Sequence, residues 1–233
     1  MEDILWDELE LVVFDVDGTL YGQSKLRKIM LLKLLLYYMS RPWKCKELLI
    51  LYHFRKEREK RAGYKGQNLE EEQYQWCAKK MNIKVDAVKP VVNQWIFNTP
   101  NQYLKKCIYP GVLDFLAALK TKGIKTAVYS DYNSKLKLAH MQIKVGLEIS
   151  STDERINSFK PNPEGLNLIL TAMSLTDKTK CLYIGDRYEL DGICAARTGV
   201  PFLLVNESIA IKDLYHQLAA KITKGIDKNT SDD

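Results

Sequence analysis

The sequence predicts an α/β protein in which a parallel β-sheet is covered by helices on both faces and is interrupted by an inserted all-helical segment. Two observations predict this fold. From residue 104 onward, short apolar runs alternate with helical patterns, which is typical of parallel strands joined by helices. Residues 21–103 contain many helical patterns and few strand signals, so this segment interrupts the sheet directly after its first strand.

Length and composition fit one large domain with an insertion. The chain has 233 residues, of which 46% are hydrophobic and 27% are charged, as in ordinary globular proteins. Residues 1–6 contain neither a basic segment nor a long apolar run, so we expect no secretory signal and a cytoplasmic location. The apolar run at residues 29–39 is well short of the roughly 20 residues that cross a bilayer.

Cysteines and histidines give neither a disulfide signal nor a metal signal. The five cysteines are scattered and form no Cys-x-x-Cys pair, which favours reduced thiols over a disulfide framework or a zinc site. The three histidines lie apart from every candidate nucleophile. We therefore assign the histidines structural roles.

The first strand ends in two carboxylates. Leu11–Phe14 is β-branched and aromatic, which predicts a buried strand, and Asp15 and Asp17 follow it. Because side chains alternate along an extended chain, these two carboxylates can face one phosphate-sized space. Gly18 lets the backbone turn sharply behind them, and Thr19 supports the turn. The alternative interpretation is a strand followed by a polar turn, since Asp-Gly is common turn chemistry.

The inserted segment is predicted to contain helices at residues 29–39, 45–61, 69–81 and 85–97. Residues 25–61 carry twelve Lys or Arg and three Glu, a net charge of +9. We interpret these charges as solvated helix faces, and recognition of an anionic substrate or membrane surface is the alternative. The apolar residues at 31–38 are predicted to be core within the segment, with an interfacial amphipathic helix as the less favoured alternative. No nucleic-acid recognition motif accompanies the charge, so no specific nucleic-acid partner is expected.

The remaining elements follow in alternation. We predict helices at residues 112–122, 135–142, 164–173 and 192–198, and strands at residues 124–129, 146–150, 181–184 and 202–205. Ser130 and Asp186 follow two of these strands, as Asp15 follows the first. The carboxyl ends of parallel strands meet at one edge of a sheet, where binding sites lie. Asp131 is interpreted as a turn residue, and residues 223–233 as a frayed polar end.

Four motifs, taken in chain order, resemble those of the haloacid dehalogenase (HAD) superfamily. They are Asp15-Val16-Asp17-Gly18-Thr19-Leu20, Val128-Tyr129-Ser130, Phe159-Lys160-Pro161, and Gly185-Asp186 followed by Asp191. The insertion after the first motif resembles the helical caps of phosphoglycolate phosphatases and β-phosphoglucomutases. The resemblance implies a Rossmann-like HAD core of residues 1–20 and 104–225, a cap of residues 21–103, and a polar tail of residues 226–233.

Phosphate ester chemistry supplies roles for the motif residues. Such chemistry needs a nucleophile, a proton donor for the leaving oxygen, and positive charge near the phosphoryl oxygens. Asp15 is the candidate nucleophile, forming an aspartyl-phosphate, and Asp17 is the candidate general acid and base. By resemblance, Ser130 and Lys160 bind the phosphoryl group of the substrate.

The resemblance also implies a Mg²⁺ cofactor. A divalent cation screens the repulsion between a carboxylate nucleophile and an anionic phosphate. The implied ligands are the Asp15 carboxylate, the Asp17 backbone carbonyl and Asp186. Asp191 is expected to orient water on the metal or to hold Lys160 in place.

The sequence therefore predicts a phosphatase that hydrolyses a small phosphorylated metabolite. A phosphomutase of the same superfamily would use the same four motifs, and a non-catalytic HAD-like binding protein is a further alternative. Asp17 argues against a dehalogenase, because attack on carbon needs no proton donor at this position. No particular oligomeric state is indicated.

Overall fold

Five parallel strands form one sheet in the computed structural model, which describes residue 4, residues 6–210 and residues 212–229. The order across the sheet is β3-β2-β1-β4-β5, and each neighbouring pair is parallel. The strands are β1 Leu11–Phe14, β2 Lys125–Ser130, β3 Leu147–Ser150, β4 Cys181–Gly185 and β5 Phe202–Leu204. The predicted parallel α/β sheet is confirmed.

The first strand of the chain, β1, lies at the centre of the sheet. Leu11 is paired with Lys125 of β2 on one side and with Cys181 of β4 on the other. All four residues of β1 are buried, and they alternate between two apolar cores. A strand that is covered on both faces and both edges needs a continuous apolar sequence, which β1 has.

Helices cover both faces of this sheet. One core contains side chains of α6 Val112–Thr121, α7 Lys135–Met141 and α11 Leu214–Asn229. The opposite core contains side chains of α8 Glu164–Ala172 and α9 Ile193–Thr198. A short helix, α10 Glu207–Ala210, precedes α11.

The segment between β1 and α6 is helical, as predicted. It contains α1 Gln23–Met39, α2 Glu47–Glu59, α3 Leu69–Met81, α4 Val85–Val92 and α5 Asn101–Leu104. A π-helical turn, Asn93–Asn98, continues α4. Helix α1 begins six residues earlier than predicted, because Leu26 and Met30 extend its buried face at four-residue spacing.

The apolar run on α1 is not core within this segment, so that prediction is wrong for most of it. Leu31, Leu32, Leu35 and Leu36 are 55–68% exposed. At spacings of one, four and five residues these leucines share one side of the helix, and the buried residues Leu26 and Met30 lie on another side. Helix α1 therefore has two apolar sides, only one of which packs against the protein.

The chain ends also differ from the sequence expectation. Residues 223–229, assigned to a frayed end, continue α11, whose buried Leu214, Leu218 and Ile222 recur at four-residue spacing. The described residues do not include residues 230–233 of the predicted polar tail. They also do not include residues 1–3 and 5, which belong to the segment used to predict that there is no secretory signal. Within the described part of the chain, no helix has the length and apolarity needed to cross a membrane.

Candidate active site

Three predicted site residues meet at the carboxyl edge of the sheet. Asp15 follows β1, Ser130 ends β2, and Asp186 follows β4. All three line one cavity of about 1050 Å³ between this edge and the inserted helices, together with Asp17 and Lys160. The strand ends are adjacent because β1 pairs with both β2 and β4, and the Asp15 N–H continues that pairing with the Ile184 carbonyl at 2.8 Å.

A buried ammonium group bridges two of the carboxylates. The Nζ of Lys160 lies 2.7 Å from Asp15 Oδ1 and 2.7 Å from Asp191 Oδ1, and the Lys160 side chain is only 1% exposed. The hydroxyl of Tyr183 donates to the same Asp191 oxygen at 2.8 Å, and Thr19 Oγ1 donates to Asp15 Oδ2 at 3.2 Å. These contacts fix the orientation of the Asp15 carboxylate.

The carboxylates of Asp15, Asp186 and Asp191 form a group that fits a divalent cation. One oxygen of each lies within 4.8 Å of the others. Gly18 makes this approach feasible, because a Cβ at this position would lie 2.0 Å from Asp186 Oδ2, and its φ is +95°. Three carboxylates face the single ammonium group of Lys160, and hard oxygen ligands of this kind suit Mg²⁺.

Burial and mutual repulsion raise the pKa values of two of these carboxyls. Burial, with the nearby Asp191 and Asp17 charges, raises the pKa of Asp15 to about 7 against the lowering effect of Lys160. Burial and the charges of Asp15 and Asp191 raise the pKa of Asp186 to about 8. Burial lowers the pKa of Lys160, but Asp15 and Asp191 outweigh it and hold that pKa well above its usual range. Burial and the mutual repulsion of these carboxylates therefore outweigh the attraction of Lys160 for Asp15 and Asp186.

Asp17 has a different environment from Asp15. Its two carboxylate oxygens both lie 2.6 Å from Lys137 Nζ, and Tyr21 donates its hydroxyl to Oδ1. Burial would raise the pKa of Asp17, but Lys137 and Tyr21 bring that pKa below its ordinary value. The backbone carbonyl of Asp17, one of the implied metal ligands, accepts a hydrogen bond from Gln23 Nε2 at 2.6 Å.

One buried arginine reaches the core from the inserted segment. Arg58 on α2 donates to the Asp131 carbonyl at 2.9 Å, and its guanidinium lies 3.7 Å from the centre of the Tyr132 ring. Asp131 is more than a turn residue, because its carboxylate accepts the Lys160 N–H at 3.3 Å and the Ser151 hydroxyl at 2.8 Å. Arg58 and Asp131 therefore connect the inserted helices to the loop that carries Lys160.

The haloacid dehalogenase-like hydrolase family model matches residues 9–199 of this sequence. The chain belongs to that family. Three of the HAD motifs lie at the strand ends described above and the Lys160 motif lies in the loop before α8, and the predicted superfamily membership is confirmed. Comparison with curated proteins finds no match.

Solved structures share the fold of this HAD-like hydrolase at low sequence identity. A β-phosphoglucomutase from Clostridium difficile is 16% identical, with a TM-score of 0.57, over 94% of this chain and 99% of that one. A 2-haloacid dehalogenase from Pseudomonas syringae pv. tomato is 16% identical, with a TM-score of 0.59, over 85% and 86%. CbbY from Rhodobacter sphaeroides, solved with phosphate, is 16% identical, with a TM-score of 0.52, over 84% and 85%. Proteins with different reactions share this fold, so the reaction must be argued from the site.

The structure of the HAD-like hydrolase brings together Asp15, Lys160, Asp186 and Asp191, and places Ser130 on the same cavity. Sequence reasoning missed Tyr183, which contacts Asp191, and Lys137 and Tyr21, which contact Asp17. It also missed Arg58, which contacts the Asp131 carbonyl. Tyr183 lies within β4, and nothing in the sequence distinguishes it from an ordinary buried aromatic residue of a strand. Lys137 lies 120 residues after Asp17 in the sequence. Arg58 lies on a helix of the inserted segment. In the sequence, the only sign of a role for either residue is its positive charge.

Proposed function

We propose that this hydrolase is a Mg²⁺-dependent phosphatase that acts on a small phosphorylated compound through an aspartyl-phosphate on Asp15. The observation that carries the proposal is the Lys160 ammonium bonded to both Asp15 and Asp191, beside Asp186. A buried carboxylate held next to fixed positive charge can accept a phosphoryl group, because the charge that develops on the phosphoryl oxygens meets prearranged cations.

The first half of the reaction transfers the phosphoryl group to the protein. An oxygen of Asp15 attacks phosphorus, and the ester bond to the leaving oxygen breaks. Asp17 donates a proton to that oxygen, and the alcohol departs. Asp17 can hold this proton only when Lys137 is drawn away from it, and the anionic phosphoryl group is the competing partner for that ammonium.

The second half restores Asp15. Asp17, now ionised, accepts a proton from a water molecule, whose oxygen attacks phosphorus and displaces the Asp15 carboxylate. Inorganic phosphate leaves with one oxygen from that water. Ser130 and Lys160 hold the phosphoryl oxygens through both halves, and Asp191 and Tyr183 keep Lys160 in position.

A Mg²⁺ ion held by Asp15, Asp186 and the Asp17 carbonyl would offset the charge of the phosphate and of the carboxylate group. The proposal also places the protein in the cytoplasm, where its cysteines stay reduced: all five are free thiols, four of them buried. Its expected partner is the small-molecule substrate, with no specific nucleic acid.

Phosphate release from a panel of phosphomonoesters tests the proposal. We expect release in Mg²⁺ that stops in EDTA and falls by at least about four orders of magnitude in Asp15→Asn and Asp17→Asn. Asp114→Asn is the matched control, because that carboxylate is 69% exposed on α6, and it should keep full activity. Release that persists in Asp15→Asn would contradict the proposal. Transfer of phosphate to a second hydroxyl of the compound, without free phosphate, would instead identify a mutase.

A further inference from the structure

The outer side of α1 and α2 carries an exposed apolar surface. Met39 and Trp43 are 71% and 74% exposed, in line with the four exposed leucines of α1. The surface, which we call the outer apolar face, comprises Leu31, Leu32, Leu35, Leu36, Met39, Trp43, Leu48, Leu49 and Tyr52. Large apolar side chains that are exposed together are typical of an interaction site in proteins that fold in water.

Positive charge surrounds this face. Residues 18–46 contain seven Lys or Arg and no Asp or Glu. Lys28, Lys33, Arg41 and Lys46 are exposed on or beside α1. Basic side chains around exposed leucine and tryptophan are complementary to an anionic lipid surface, which offers negative headgroups above an apolar layer. A second copy of this chain is a poorer partner for this face, because two such faces would bring their positive charges together.

The active-site cavity extends to the outer apolar face. Its lining includes Asp15 and Lys160 at one end, and Leu31, Leu48 and Tyr52 of the outer apolar face. The lining also includes six apolar residues: Leu26, Met30, Leu34, Leu51, Ile96 and Phe97. A volume of about 1050 Å³ is at the upper end for small-molecule sites and far exceeds what a phosphate group fills.

Two residues of the cavity lining also have a buried polar side-chain atom. Trp95 Nε1 and Asn101 Oδ1 are buried and, within the part of the chain that the structure describes, form no hydrogen bond. Buried polar atoms without partners are rare in folded proteins and call for a ligand or water.

We propose that the substrate is a phosphomonoester carried by a membrane-resident amphiphile, and that the outer apolar face docks on an anionic lipid surface to receive it. This inference rests on the proposed phosphatase function and names its substrate class. The exposed leucines and Trp43 enter the lipid layer while the basic side chains contact anionic headgroups. The phosphate reaches Asp15, and the apolar chain lies along α1 and α2. Asp15 displaces the alcohol from phosphorus and the alcohol stays in the membrane; water then hydrolyses the aspartyl-phosphate, and inorganic phosphate leaves.

Vesicle flotation of the full chain tests the docking step. We expect the protein to float with phosphatidylcholine vesicles that contain phosphatidylglycerol, to stay behind with phosphatidylcholine alone, and to bind less at high salt. The triple variant Leu32→Gln/Leu36→Gln/Trp43→Gln should reduce the bound fraction roughly tenfold or more, and none of its three positions lines the cavity. Leu113→Gln, at a 49% exposed leucine of α6, is the matched control and should bind like wild type. Thermal unfolding verifies that each variant is folded.

Turnover tests the substrate class. Phosphatidic acid and a long-chain alkyl phosphate, presented in the same anionic vesicles, should be hydrolysed by wild type and roughly tenfold more slowly by the triple variant. Both proteins should hydrolyse water-soluble p-nitrophenyl phosphate equally, because the catalytic residues are unchanged.

The outcomes separate the two proposals. Hydrolysis of p-nitrophenyl phosphate without binding to anionic vesicles, or with equal rates for wild type and triple variant on both vesicle-borne esters, overturns this inference and leaves a phosphatase. Binding to anionic vesicles without hydrolysis of any ester contradicts the phosphatase function and removes the substrate class with it. Concentration-dependent dimerisation that the triple variant abolishes, without vesicle binding, assigns the face to a second copy and overturns the inference.

Discussion

The carboxyl edge of the sheet buries charged side chains, whereas the outer side of α1 exposes apolar ones. At the sheet edge, Asp15, Asp191 and Lys160 are buried and joined by short hydrogen bonds. On α1, leucines face outward and basic side chains stand around them without an acidic residue from 18 to 46. The first region has the order that chemistry needs, and the second has the exposure that docking needs.

The same comparison explains why the apolar run of α1 was wrongly predicted to be core. An apolar run on a helix indicates burial only when a partner surface lies within the protein. Helix α1 packs Leu26 and Met30 inward and leaves Leu31 and Leu35 outward. A helix that is apolar on two sides requires two partners, and the protein supplies one.

The largest effect on stability should come from replacing a buried ammonium. Lys160→Met removes the cation that bonds two buried carboxylates and should lower the free energy of unfolding of the EDTA-treated protein by about 3–5 kcal/mol. The matched change Lys28→Met, on exposed α1, should alter it by less than about 0.5 kcal/mol. Urea denaturation measures both. Equal losses in Lys160→Met and Lys28→Met would show that the buried Lys160 ammonium stabilises the fold no more than an exposed one.

A leucine pair extends the comparison within the inserted helices. Leu69→Ala removes a fully buried side chain and should lower the free energy of unfolding by about 2–5 kcal/mol, through lost burial and the cavity left behind. Leu35→Ala, at a 55% exposed position, should lower it by no more than about 0.5 kcal/mol. Urea denaturation in the absence of lipid is the measurement. A loss at Leu35 as large as that at Leu69 would mean that α1 packs against something else in solution.

The smallest effect concerns a paired carboxylate on α2. Hydrogen bonds from Lys60 and Arg61 lower the pKa of Glu57 to about 2, below its value in the unfolded chain. Its stabilisation is therefore complete above about pH 4.3 and disappears as the pH falls through about 2. Glu57→Gln should lower the free energy of unfolding by about 1 kcal/mol at neutral pH, since both partners are partly exposed.

Glu59→Gln is the control for that experiment, because Glu59 is exposed on the same helix. Its free energy of unfolding should follow that of wild type from neutral pH to acid. The deficit of Glu57→Gln should shrink as the pH is lowered toward 2, and a deficit that grows instead would contradict the assigned ion pairs.

Local patterns predicted the sheet and the carboxylate group because both depend on short-range rules. Strands of three to six residues alternate with helices, and parallel strands place Asp15, Ser130 and Asp186 at one edge. The Lys137–Asp17 pair spans 120 residues and depends on where the fold places α7 relative to the loop that carries Asp17. The contact of Arg58 with Asp131 depends in the same way on where α2 packs. Neither contact can therefore be predicted from the residues near it in the sequence.

Trapping the phosphorylated protein tests the central claim most directly. Wild type mixed with Mg²⁺ and a hydrolysable phosphomonoester, quenched in acid and measured by mass spectrometry, should gain the mass of one phosphoryl group. That group should map to the peptide that contains Asp15, and Asp15→Asn should gain nothing. Steady release of inorganic phosphate by a protein that stays unmodified, with Asp15→Asn still active, would contradict the account.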